Sequence, residues 1–103
     1  MTIDWDRIVG FEWDAGNVVK SEQKHGVRTE EAEEVFLNQP LLVLPDRAHS
    51  TVGEERWRAL GHTTGGRLLQ VVFTVRGDRL RVISGRPMSR KERSAYEAQP
   101  EPA

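Results

Sequence analysis

The chain has 103 residues, enough for one domain and one core but not for a core plus a large separate site, so function is expected on a surface or in a shallow groove. It has no cysteine, which excludes a disulfide framework and a thiolate zinc site. Its three histidines, His25, His49 and His62, are spaced too irregularly to suggest an imidazole metal site, and no cofactor is expected. The net charge of −1 hides an asymmetry: residues 1–54 hold eleven Asp/Glu against five Lys/Arg, whereas residues 55–103 hold five against ten.

Nine of the twelve arginines fall in the second half. Arg forms bidentate bonds to phosphate that Lys cannot, so this bias suggests an RNA-facing or acid-facing surface; pairing between the two halves, or a solvated face, is the plainer alternative. The longest apolar stretch, PLLVLP, is too short to span a bilayer, and MTIDWDRIVGF has two acids where a signal peptide needs a basic start. A soluble cytoplasmic protein is expected.

In chain order, GFEWD alternates, with Phe11 and Trp13 on one side of a short strand and Glu12 on the other, and Asp14 is placed to cap a helix. A polar surface helix is predicted over Ala15–His25 and closed by Gly26, with Lys24 and His25 in its last turn facing the negative end of the helix dipole. Thr29 is expected to cap a second helix, EEAEEVFL, with Ala32, Val35 and Phe36 as its apolar stripe. LLVL reads as a short buried strand ended by Pro45, and PDRAHSTVGEE as a polar loop of a length that is often functional.

Three strands in series follow: ERWRALGH, with Arg56, Arg58 and Leu60 alternating against Trp57 and Ala59, then RLLQVVFTV, then LRVISGR after a Gly77-Asp78 hairpin turn. Strict alternation in the last places Arg81 and Ile83 on one face and Leu80, Val82 and Ser84 on the other. Ser89 and Glu92 form a capping box that opens a last helix. The order gives an α+β domain: helices on an antiparallel sheet with a C-terminal three-stranded meander, two N-terminal helices and one C-terminal helix. One domain is expected over 1–103, with residues 1–10 and 99–103 flexible.

FEWD, KHGV, EEAEEVF, GEERW, RLLQVVFTVRGDRLRVIS and RKERSAYE, in this order over residues 11–97, resemble the BrnT family of toxins. The resemblance implies a RelE-like fold and a metal-independent ribonuclease toxin of a type II toxin–antitoxin pair that stops translation by cutting RNA. It also implies a partner, a BrnA-like antitoxin with a ribbon-helix-helix DNA-binding domain, in a 2:2 complex that alone contacts operator DNA. Where the family often has Lys and Asn in the first helix this chain has Asn17 and Ser21, and the family's Ser-Ala-Arg after the last strand reads Ser84, Gly85, Arg86. Rival readings are a non-enzymatic nucleic-acid- or partner-binding module, and a degenerate toxin acting as co-repressor.

Metal-free RNA cleavage needs a base for the 2′-OH proton, cations for the charge growing on the phosphorane, and an acid for the leaving 5′-oxygen. The expected catalytic set is Lys24, His25, Glu54, Arg56, Arg81 and Arg86, with Arg67, Arg76 and Tyr96 as RNA contacts. Arg56, Arg67, Arg81 and Arg86 are expected to cluster on one side of the sheet, or singly to pair with Glu54, Glu55 or Glu92 and staple the helices down. The base and acid are left open among His25, His49, Glu54, Glu55 and Tyr96, and His62 is read as structural.

Overall fold

The computed structural model describes residues 3–99, so the end of the tail expected to be flexible, residues 100–103, lies outside the described residues. Its elements are β1 (Gly10–Trp13), α1 (Ala15–His25), α2 (Thr29–Leu37), β2 (Leu42–Pro45), β3 (Arg56–His62), β4 (Leu68–Arg76), β5 (Arg79–Pro87) and α3 (Arg90–Glu97), with 3-10 turns at Trp5–Arg7 and Arg47–His49. The strands form one sheet in the order β1-β5-β4-β3-β2.

The sheet is mixed rather than antiparallel as expected. β2 to β5 are antiparallel to their neighbours, but β1 runs parallel to β5, Gly10 beside Arg79 and Trp13 beside Val82. The orientation has a local use. β1 is too short to cover β5, and the chain continues forward from it as α1 alongside the uncovered half, where Ser21 Oγ accepts the N–H of Gly85 at 3.2 Å. An antiparallel β1 would deliver the chain to the other end and leave that buried donor without a partner, at a cost of about 1–3 kcal/mol.

The helix boundaries follow from caps. Asp14 accepts the N–H of Gly16 at 2.9 Å, and α1 ends at Gly26 with φ 63°, a conformation that carries little penalty only for glycine. Thr29, expected as a cap, is instead the first residue of α2; Arg28 holds the capping position, and its N–H donates to Glu31 Oε1 at 3.2 Å. The Ser89–Glu92 capping box forms as expected.

α2 and the N-terminal segment cover one face of the sheet, burying Val27, Ala32, Val35, Ala59, Leu69, Val71, Phe73, Leu80 and Val82. α2 sits so close to β3 that a Cβ at Gly61 would come within 2.7 Å of Val35 Cγ1. Phe36 meets Phe73 edge-on at 5.0 Å, and Trp5, in the segment expected to be flexible, lies 6.2 Å from Phe73. On the opposite face α3 covers one end only, where Leu60, Met88 and Tyr96 pack with Leu42, Leu44 and Leu68. The rest of that face is polar and open.

One irregularity decides what this open face carries. Phe73 pairs with Val82, but Val72 pairs with Ser84, so β5 has a bulge around Ile83. Ser84 therefore leaves the face of Leu80 and Val82, contrary to strict alternation, and Arg86, opposite Gln70, joins Arg81, opposite Thr74, on the open face.

Candidate active site

The open face forms the floor of a cavity of about 760 Å³. α1 contributes Lys20, Lys24 and His25 to one wall; the Arg47–His49 turn contributes Arg47 and His49, with Asp46 just before it; β3 contributes Arg56 and Arg58; β5 contributes Arg86; and α3 contributes Glu92. The walls are thus mainly cationic, and two of the three imidazoles of the chain, His25 and His49, line the same space.

Of the expected catalytic residues, Lys24, His25, Arg56 and Arg86 converge here. The helix-end role of Lys24 and His25 and their place in the cavity are compatible, because the last turn of α1 is what reaches the open face. Glu54 is adjacent rather than inside: it accepts Arg56 Nε at 3.1 Å, lies 3.7 Å from Arg76, and lines a second, smaller cavity of about 550 Å³ with Glu55 and the N-terminal segment.

The other expected site residues are elsewhere. Arg81 is held by Glu12 at 2.8 Å and Asp14 at 3.4 Å near the end of β1, and Arg76 stands between Glu12 and Glu54. Arg67 precedes β4 at a position facing the helices, not the cavity. Its guanidinium donates to the carbonyls of Gly26 at 2.8 Å and His25 at 3.1 Å and pairs with Glu31 at 3.3 Å, so it caps the negative end of α1. Of the four arginines expected on one side of the sheet, Arg56, Arg81 and Arg86 share the open face and Arg67 does not, and only Arg56 and Arg86 line the cavity. Tyr96 is buried on the inner side of α3, its hydroxyl donating to the Pro40 carbonyl at 2.6 Å, and burial pushes its pKa up from the usual phenol value. His62 is outside the cavity, its two ring nitrogens each 2.9 Å from a carbonyl oxygen, those of Thr63 and Gln39.

The arginine–carboxylate pairs anticipated as staples also form. Arg86 grips Glu92 with two bonds of 2.8 and 2.7 Å, and those bonds, with the Ser89 N–H, outweigh burial and hold the Glu92 carboxyl below its ordinary value. By contrast Lys20, Lys24, Arg47 and Arg58 have no carboxylate within 4.0 Å among the described residues. They are the cations with spare bonding capacity for a phosphate.

The lining also includes Lys20, Asp46, Arg47, Arg58 and Gln70, which were not among the site candidates of the sequence. Arg58 shares the parity of Arg56 on one strand, and Lys20 stands one helical turn before Lys24, so both carried a signal. Asp46, Arg47 and Gln70 carried none. Gln70 is 5% exposed on the cavity floor, and its Oε1 is sealed without a hydrogen-bond partner.

Residues 13–92 match the model of a family described as the ribonuclease toxin, BrnT, of type II toxin–antitoxin systems. The chain belongs to the BrnT toxin family. No curated protein matches it. Among solved structures it is similar to the Brucella abortus ribonuclease toxin BrnT, with 28% identity and a TM-score of 0.62 over 80% of this chain and 99% of that one. As a BrnT-family ribonuclease toxin of a type II system, the protein has an antitoxin as its partner. No helix among the described residues is long and apolar enough to cross a membrane.

Proposed function

We propose that this BrnT-family protein is an endoribonuclease that cuts RNA at the cationic cavity without a metal ion, stops translation by doing so, and works in the cytoplasm. The carrying observation is the convergence of Lys20, Lys24, Arg47, Arg56, Arg58 and Arg86 with two imidazoles on one open surface. An open surface admits a polymer, and unpaired Lys and Arg draw in its phosphates. The same cations stabilise the extra negative charge that the phosphorane acquires, the role a divalent ion would otherwise play, and their charge disfavours such an ion in the same space.

Within this proposal the protein has a RelE-like fold and is silenced by a BrnA-like antitoxin with a ribbon-helix-helix domain, in a 2:2 complex. Acidic or apolar side chains of the antitoxin cover the cavity, and the antitoxin reads the operator through its own DNA-binding domain. The test is incubation of the purified protein with RNA in EDTA. Fragments ending in a cyclic phosphate are expected; RNA that is bound but stays intact would favour the binding-module alternative.

A further inference from the structure

His49 is the one cavity histidine with a carboxylate behind it. Its Nδ1 lies 3.1 and 3.0 Å from the two oxygens of Asp46, a side chain that is only 11% exposed. The backbone that carries this carboxylate is fixed to the neighbouring strand. The Asp46 N–H donates to the Arg56 carbonyl at 2.8 Å, the Asp46 carbonyl accepts Ser50 Oγ at 2.8 Å, and Ser50 Oγ accepts the Arg56 N–H at 2.9 Å, so the turn is pinned to the start of β3.

A carboxylate at Nδ1 fixes the proton on that nitrogen and leaves the lone pair on Nε2, at the far side of the ring. The His49 side chain is 69% exposed, so Nε2 is accessible. The charged and titratable groups sharing its space are Arg47 on its own turn, Arg56 and Arg58 from β3, Lys20, Lys24 and His25 from α1, and Arg86 with Glu92 beyond. The ring of His25 has no such brace among the described residues, and Glu54 is committed to Arg56 and Arg76.

We propose that Asp46 and His49 form the proton-transfer dyad of this site, with His49 Nε2 as the catalytic base and Asp46 as its positioning residue. The proposal rests on the ribonuclease function argued above. His49 Nε2 takes the proton of a ribose 2′-OH; the 2′-oxygen bonds to the adjacent phosphorus; the bond from phosphorus to the 5′-oxygen breaks; and that oxygen leaves with a proton taken from water. The products are a 2′,3′-cyclic phosphate and a 5′-hydroxyl, and the imidazolium returns its proton to solvent.

The experiment compares RNA cleavage by the wild type, His49→Ala, His49→Gln and Asp46→Asn between pH 5 and 8, alongside thermal melts. His49→Gln stays polar and of similar size but cannot exchange a proton, and the melts report whether it folds, so it separates chemistry from folding. Both His49 variants are expected to melt near the wild type and cut about 10²–10⁴-fold more slowly. The wild-type rate should rise with pH through the imidazole range, a bend the variants lose. Asp46→Asn should lower kcat and leave KM unchanged. If the wild type cuts and His49→Gln, folded, cuts equally well, the dyad is overturned alone; a folded wild type that never cuts overturns the ribonuclease function and the dyad together.

Discussion

Arg86 and Glu92 meet through two parallel N–H···O bonds, Nη1 to Oε1 at 2.8 Å and Nη2 to Oε2 at 2.7 Å, across the junction of β5 and α3. Glu92 also accepts the Ser89 N–H, so the pair ties the cavity's arginine to the cap of α3. Arg86→Ala is therefore expected to cost stability as well as activity, about 1–2 kcal/mol, between the worth of an exposed and of a buried pair. Arg86→Lys should recover less than half of it, because an ammonium cannot reproduce the fork. Denaturant melts of the two variants check this, and an alanine variant as stable as the wild type would show that the pair contributes nothing.

Stability should fall in acid. Arg86 first, then the Ser89 N–H, hold Glu92 below its ordinary value of 4.5 against the opposing effect of burial. For Glu31 burial pushes upward, but the Arg28 N–H and Arg67 outweigh it and the net shift is again downward. A carboxyl whose folded value lies below its unfolded one stabilises fully above the unfolded value and loses that contribution as pH drops through the folded one. The melting temperature should thus hold steady down to about pH 4.5 and decline below it. Glu92→Gln should start lower and decline less steeply.

Arg67, Arg58 and Arg81 should respond differently to alanine. Arg67→Ala removes the cap on α1 and is expected to cost about 1–2 kcal/mol, the scale of hydrogen bonds from a charged donor, with RNA affinity unchanged. Arg58→Ala should weaken RNA binding and flatten the plot of log affinity against log salt by about 0.7 for each phosphate that is no longer neutralised. Arg81→Ala should leave that slope alone, since Glu12 and Asp14 already occupy its guanidinium. Binding titrations across salt concentrations separate the three.

Gln70→Leu is expected to stabilise the protein. The amide oxygen is sealed without a partner, a state that costs about 1–3 kcal/mol, and Leu60 on the neighbouring strand offers apolar contact to a leucine. A rise of about 4–8 °C in the melting midpoint per kcal/mol is the size to look for. A fall would show that the amide finds a partner in solution.

The local features were legible because they depend on neighbours in sequence. Alternation in RWRALGH and RLLQVVFTV, the glycine that ends α1 at His25 and the Ser89–Glu92 box each encode an element within a few residues, and all appear where expected. Thr29, read as the cap in place of Arg28, shifts a boundary by a residue.

What the sequence left open was every relation between distant segments. Period-two alternation predicts a face only while the ladder is regular, and the bulge at Ile83, which moves Arg86 onto the face of Arg81, is a property of how β5 meets β4. The parallel pairing of β1, which carries the chain on to α1 and brings Ser21 to the Gly85 N–H, joins segments more than sixty residues apart. Arg67, placed on the helix side, meets the end carbonyls of α1, and Arg58 has no carboxylate within 4.0 Å among the described residues. Sequence determined which side chains could bind phosphate. Tertiary packing decided which of them face one another, because pairing, register and burial are settled by the whole sheet competing for partners at once.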